Sequence, residues 1–100
     1  MSKKEKVLNE IKHNAGQIRA FGIKKIGLFG SFANGKPSTK SDIDFLIEFR
    51  KGEKTFDHYM DLKFFLERLF HKKVDLVLKD SLKPRLKPYI LSSVLYAQGL

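Results

Sequence analysis

Residues 23–47, IKKIGLFGSFANGKPSTKSDIDFLI, decide the fold of this chain. They begin with a short β-branched and aromatic run, Ile23–Phe29, which predicts a strand that leads directly into Gly30 and Ser31. A polar loop containing a proline is expected at 36–41. Apolar and polar residues then alternate over 42–49, which predicts a second strand. A glycine–serine turn and two strand-borne aspartates are therefore close neighbours along the chain.

Periodic apolar residues predict helices on both sides of these strands. Apolar residues three and four positions apart predict one helix from Ser2 to about Phe21, with Ser2 and Glu5 as a capping box and Gly22 as its end. The remaining elements are expected as a helix at 56–70 capped by Thr55, a strand at 73–78, a helix from Ser81 to about Val94 and a short strand at 95–97. Pro88 is expected to break or restart the last helix.

Length and composition bound the class of protein. One hundred residues, 42% of them hydrophobic, fit a single globular domain over 1–100 with a small sheet of the mixed α/β class. The absence of cysteine excludes a disulfide scaffold and a thiolate zinc site, and it suits a reducing cytoplasm. No apolar run approaches the ~20 residues of a membrane span, and the charged N-terminal residues do not continue into the apolar core of a signal peptide. We therefore expect a cytoplasmic protein that makes no contact with membranes.

The charge of the chain is strongly positive and unevenly distributed. The formal net charge is +9, of which residues 1–25 carry +5 and residues 72–100 carry +4, whereas residues 26–71 are balanced. Basic ends favour polyanionic ligands such as nucleotides, RNA or an acidic protein. The plain alternative is a solubilising surface without a specific ligand.

Three aspartates form the candidate catalytic and metal-binding set. Asp42 and Asp44 are two residues apart on one predicted strand and so project from the same face, while Asp75 lies on another strand. If the two strands are neighbours, the three carboxylates can converge at one edge of the sheet. Hard oxygen ligands of this kind suit Mg²⁺, and two Mg²⁺ ions are a standard device for nucleotidyl transfer. The alternatives are a solvated strand face for the pair and a salt bridge from Asp75 to Lys72 or Lys73.

The turn at Gly30 and Ser31 is the candidate phosphate-binding element. Glycine lets the backbone approach a phosphate closely, and free backbone N–H groups with the serine hydroxyl supply donors. The chain contains neither a Walker loop nor a dinucleotide-binding glycine motif. Taken alone, the two residues would more simply be an ordinary turn.

The spacing of these residues carries a family resemblance. Gly30 and Ser31, ten further residues and then Asp42-Ile43-Asp44 follow the pattern G-S-x(10)-D-x-D. The chain thereby resembles the DNA polymerase β-like nucleotidyltransferases and, more narrowly, the minimal nucleotidyltransferases that are antitoxin partners of HEPN-domain toxins. The segments 74–77 (VDLV) and 82–90 are also similar to that family, so the resemblance covers nearly the whole chain. It implies a small mixed sheet flanked by helices, as in the polymerase β palm.

The resemblance also implies roles for the individual residues. Asp42 and Asp44 match the metal-binding pair, and Asp75 matches a third carboxylate that helps to hold one metal and orients or activates the attacking hydroxyl. Gly30 and Ser31 match the turn that holds the triphosphate. The implied reaction uses ATP and Mg²⁺ and transfers AMP to a tyrosine of a HEPN toxin, silencing its ribonuclease activity. A hetero-oligomer with that toxin is the expected assembly.

One position departs from the family pattern. Many relatives carry a basic residue after G-S-F-A, where this chain has Asn34, and Lys36 or Lys40 are candidate replacements. Asn34 favours a first rival, a protein of the same fold that neutralises its partner by contact alone, whereas the intact aspartate triad opposes it. A second rival is a basic nucleic-acid-binding domain, which is not favoured because the chain lacks an aromatic and basic motif of the RRM or KH type.

Overall fold

Five helices and a four-stranded sheet make up the part of the chain that the computed structural model describes, residues 2–35, 37 and 40–100. The helices are α1 (Lys3–His13), α2 (Ala15–Ala20), α3 (Gly30–Ala33), α4 (Phe56–Phe70) and α5 (Lys87–Ser93). The strands are β1 (Ile23–Phe29), β2 (Ile43–Phe49), β3 (Val74–Leu78) and β4 (Leu95–Tyr96), and a 3₁₀ turn spans Lys79–Ser81. Three residues of the loop predicted at 36–41, namely 36, 38 and 39, lie outside the described residues.

The N-terminal helix begins as predicted but is interrupted. The capping box is confirmed, because the Ser2 hydroxyl accepts from the Glu5 backbone N–H and the Glu5 carboxylate accepts from the Ser2 backbone N–H. The prediction of one helix to Phe21 is wrong, because Asn14 separates α1 from α2. The Asn14 side chain donates to the Glu10 carbonyl at 2.8 Å, and such local side-chain bonds compete with regular helix. The apolar face nevertheless continues across the break.

Removing the capping hydroxyl is expected to destabilise α1 measurably. In a Ser2→Ala variant the Glu5 backbone N–H loses its acceptor, so the free energy of unfolding should fall by about 1 kcal/mol. Urea denaturation followed by circular dichroism measures this loss. Ser92→Ala is the matched control, since its exposed hydroxyl bonds only to a carbonyl one turn earlier in α5. Equal unfolding free energies for Ser2→Ala and wild type would contradict the prediction.

The sheet has the strand order β3-β2-β1-β4. β1 pairs antiparallel with both β2 and β4, whereas β2 and β3 are parallel. A parallel pair needs a crossover connection, and α4 supplies it between β2 and β3. This mixed sheet with helices confirms the predicted fold class, and it places the beginnings of β2 and β3 beside the end of β1.

The centre of the molecule forms around β2. Phe45 and Ile47 are fully buried in the main core, together with Leu62 and Leu66 from α4. Leu46 lies on the opposite face of β2, the face that also carries Asp44 and Glu48, and is fully buried as well. A strand with neighbours on both sides is covered more completely than an edge strand.

The C-terminal segment differs from its prediction in two respects. A helix beginning at Ser81 is wrong, because residues 79–81 form a 3₁₀ turn and α5 begins only at Lys87. Pro88 lies in the first turn of α5, where a missing N–H costs nothing, so it neither breaks nor restarts a helix, contrary to the prediction. The short closing strand is confirmed as β4. Among the described residues, no helix has the length and apolar character that crossing a membrane requires.

Candidate active site

The predicted carboxylates meet at one edge of the sheet. In the parallel pairing of β2 with β3, Asp44 lies directly beside Asp75. In the antiparallel pairing of β2 with β1, the same Asp44 lies beside Phe29, the last residue before Gly30. Residues directly opposite one another in neighbouring strands project from the same face. Asp44 therefore lies between the glycine turn on one side and the third aspartate on the other.

Gly30 is packed against the carboxylate of Asp44. Its φ angle is +76°, in the left-handed region that glycine adopts without strain. A Cβ atom built on Gly30 would collide with the Asp44 Oδ2 atom. The absence of a side chain thus allows the turn and the carboxylate to approach, which joins the two halves of the predicted site.

Ser31 follows Gly30 in the short helix α3, which the core holds in place. Phe32 and Ala33 of the same helix are buried, at 5% and 8% exposure, whereas Ser31 is only half-buried. Burial of the two apolar residues fixes the backbone that carries the hydroxyl. Ser31 thus directly follows the glycine that packs against Asp44, and its backbone is held in place by the core.

Asp42, Asp44 and Asp75 form an acidic edge of the sheet, and Asp44 is its central residue. Burial raises the pKa of the Asp44 carboxyl above its ordinary value, and the negative charges of Asp75 and Asp42 raise it further. Each of these causes disfavours the ionised form of Asp44. A bound cation would relieve both, which is a physical reason for a cation to bind here.

A stability measurement can detect this repulsion. The pKa of the Asp44 carboxyl is higher in the folded protein than in the unfolded chain, so ionising this carboxyl destabilises the folded state. The stability that the protonated carboxyl contributes is therefore present at low pH and is lost as pH rises through the folded-state pKa. Asp44→Asn should therefore raise the melting temperature at neutral pH in metal-free buffer, and the gain should disappear at acid pH. Asp61→Asn is the control, because Asp61 is exposed and lies beyond the first turn of α4. A lower melting temperature for Asp44→Asn at neutral pH would contradict the prediction.

The donor set fits Mg²⁺ as a site completed by substrate. No group of three His, Asp or Glu side chains within residues 2–35, 37 and 40–100 is arranged to hold a metal unaided. Mg²⁺ usually binds through one or two carboxylates together with water and substrate phosphates, and does not need an all-protein cage. Asp42 and Asp75 are exposed and Asp44 is half-buried, so all three positions adjoin the surface from which a nucleotide would come.

A lysine that the sequence analysis treated only as an ion-pair partner also lies at this edge. The Lys72 Nζ atom is 3.5 Å from the Ser41 carbonyl oxygen and 5.9 Å from the centroid of the Phe32 ring. Lys40, one predicted replacement for a base at position 34, is exposed and borders the same open pocket as Lys72. The other predicted replacement, Lys36, lies outside the described residues. The sequence signal for Lys72 is its place in the short turn between α4 and the aspartate-bearing β3, a position that it shares with Lys73.

Comparison with known proteins places this geometry in a family. The nucleotidyltransferase domain family matches residues 4–97. Protein adenylyltransferase MntA of Thermococcus cleftensis is 37% identical over 76% of each chain. A second relative, MJ1379 of Methanocaldococcus jannaschii, is provisionally named a protein adenylyltransferase and is 36% identical over 89% of this chain and 92% of its own.

Solved structures agree with the sequence relatives. A structure provisionally described as a minimal nucleotidyltransferase superposes with a TM-score of 0.80 at 29% identity and covers 95% of both chains. A toxin–antitoxin structure with AMP-PNP has a TM-score of 0.72 at 23% identity, covering 93% of this chain and 73% of that one, and shares the fold. The chain belongs to the nucleotidyltransferase domain family and is similar in sequence to protein adenylyltransferase MntA and in structure to a minimal nucleotidyltransferase.

Proposed function

We propose that this nucleotidyltransferase transfers AMP from ATP to a hydroxyl group of a partner protein and thereby acts as the antitoxin of a toxin–antitoxin pair. The acceptor is a tyrosine of a HEPN-domain toxin, the two proteins form a hetero-oligomer, and the reaction takes place in the cytoplasm. Residues 1–100 act as one domain. The observation that carries the proposal is the meeting of Gly30, Asp44 and Asp75 at one sheet edge, in a chain whose relatives are named protein adenylyltransferases.

The chain's own residues divide the work of the reaction. The acceptor oxygen attacks the α-phosphorus of ATP, the bond from that phosphorus to the bridging oxygen of the β-phosphate breaks, and pyrophosphate leaves. Gly30 and Ser31 hold the triphosphate through backbone N–H groups and the serine hydroxyl. Asp75 orients the attacking hydroxyl and draws its proton away as the new bond forms.

Asp42, Asp44 and Asp75 are the residues that would hold Mg²⁺, with two ions expected. When bound, Mg²⁺ supplies positive charge that neutralises the phosphates and stabilises the departing pyrophosphate. The raised pKa of Asp44 supports this assignment, because a cation bound there would offset the effects of burial and of the two neighbouring carboxylates. An all-carboxylate donor set without cysteine suits Mg²⁺ better than softer metals.

A partner protein must supply much of the acceptor site. The fold leaves the acidic edge open, because Asp42 and Asp75 are exposed. The described residues contain no second lobe that could enclose an acceptor over this edge. A toxin docked here would position its own tyrosine and exclude water from the reacting phosphate.

The direct test is transfer of label from ATP labelled at its α-phosphate. The purified protein is incubated with labelled ATP, Mg²⁺ and the protein encoded by the neighbouring gene, and the modified residue is located by mass spectrometry. We expect label on a tyrosine of the partner and none when the label is on the γ-phosphate. A stable complex without label would reject the transferase proposal in favour of neutralisation by contact, and salt-sensitive RNA binding without label would favour the nucleic-acid-binding rival.

A further inference from the structure

We propose that Lys72 binds the β- and γ-phosphates of the nucleotide and so stabilises the pyrophosphate that leaves. This inference rests on the proposed function, because it assigns a substrate contact within the same site. It concerns a residue between α4 and β3, outside the glycine–serine turn and the aspartate set.

The electrostatics of the site require a cation on the phosphate side. A triphosphate is strongly anionic, and the sheet edge presents three carboxylates to it. The turn itself offers only neutral donors, since residues 30–35, GSFANG, contain no charged side chain. A cationic side chain from another segment of the chain would therefore add to the compensation that bound metal provides.

Lys72 lies close to a residue adjoining each half of the site. Its Nζ atom is 3.5 Å from the carbonyl oxygen of Ser41, which directly precedes the metal-binding pair. The same atom is 5.9 Å from the ring centroid of Phe32, which directly follows Ser31. The ammonium group therefore lies near the segment that precedes Asp42 and near α3, the helix that carries Ser31.

The turn that carries Lys72 is held on both sides. His71 ends α4 in the left-handed conformation, with φ of 53°, which is uncommon for a residue with a side chain. The Glu67 carboxylate accepts a hydrogen bond from the Val74 backbone N–H at 3.1 Å, and the Lys73 carbonyl accepts one from Ile43 at 3.1 Å. These contacts fix the backbone on either side of Lys72, so its side chain projects from a rigid support.

The surroundings of Lys72 have room for phosphate groups. An open pocket of about 410 Å³ is lined by Lys40, Ser41, Asp42, His71, Lys72 and Lys73. Lys40 and Lys73 are exposed, whereas Lys72 is half-buried. A partly desolvated ammonium group interacts more strongly with an anion than an exposed one does, so Lys72 is the lysine of this pocket that should contribute most.

The test compares ATP with AMP, which lacks the two phosphates in question. Affinities are measured by calorimetry with Mg²⁺ for wild type, Lys72→Gln and Lys72→Arg. Lys51→Gln is the matched control, because it removes the same charge from an exposed turn after the other end of β2. We expect Lys72→Gln to bind ATP about 10-fold more weakly than wild type, since a charged hydrogen bond to phosphate is lost. AMP affinity should be unchanged, and Lys72→Arg should retain most of the ATP affinity.

Other outcomes separate the inference from the proposed function. Equal losses for ATP and AMP would indicate a merely structural lysine and overturn the inference. Equal ATP affinities for Lys72→Gln and Lys51→Gln would also overturn the inference. In that case, ATP binding and AMP transfer by the wild-type protein would still support the proposed function. A wild-type protein that binds no ATP and transfers no label would overturn both. Thermal melting of each variant confirms that it is folded.

Discussion

Asp42→Asn/Asp44→Asn is expected to lower AMP transfer by about 1,000-fold or more. The pair supplies two of the three carboxylates at the sheet edge, and metal stabilisation of a phosphoryl transition state is worth several kcal/mol. Asparagine preserves the size of each side chain but removes the negative charge that a divalent cation requires. Rates of label transfer to the partner at saturating ATP and Mg²⁺ measure the effect.

The control for this double variant removes the same charge elsewhere. Asp57→Asn/Asp61→Asn changes two exposed aspartates one turn apart on α4, and it should transfer AMP at nearly the wild-type rate. The Asp42→Asn/Asp44→Asn variant should remain folded, because its change relieves repulsion around the half-buried Asp44. A folded double variant with wild-type transfer would show that the two carboxylates do not take part in the reaction.

Gly30→Ala is expected to lower transfer by about 100-fold and to reduce stability as well. A side chain at φ of +76° costs about 1–2 kcal/mol, and the new methyl group would meet the Asp44 carboxylate directly. Either the turn or the carboxylate must move, and a displacement near 1 Å in a reacting assembly can cost about 100-fold in rate. Chemical denaturation and label-transfer rates measure the two effects separately.

Substitutions at two other glycines serve as controls that separate backbone strain from the contact with Asp44. Gly52 also has a positive φ, +81°, but a Cβ there would meet no atom within 4 Å, so Gly52→Ala isolates backbone strain. Gly16 lies in α2, where a Cβ also has open space, and Gly16→Ala should stabilise the protein by about 0.5–1 kcal/mol. We expect full transfer from both controls. If Gly30→Ala lost no more activity than Gly52→Ala, the contact with Asp44 would have no catalytic importance.

Much of the fold could be predicted from local patterns. The strand Ile23–Phe29, the helix Phe56–Phe70 with its Thr55 cap and the capping box at Ser2 lie where predicted, because each depends on residues within one or two turns of itself. The apolar period continues across Asn14 and so gives no sign of the break there, where the Asn14 side chain donates to the Glu10 carbonyl. A helix start at Ser81 is predicted because serine suits a helix cap, but in the structure Ser81 is the last residue of a 3₁₀ turn.

The sequence by itself determined which residues are candidates for the site, whereas the tertiary structure decided how they meet. Spacing predicts Asp42 and Asp44 on one strand face, because side chains alternate with a period of two; in the structure β2 begins at Ile43, so Asp42 lies just before the strand and Asp44 on it. Strand pairing lies beyond local periodicity, and only the packed sheet put Asp75 in register with Asp44 and brought Gly30 against its carboxylate. Lys72 reaches the same edge for the same reason: α4 must cross over before β3 can pair parallel with β2, and the turn between α4 and β3 places that lysine beside Ser41.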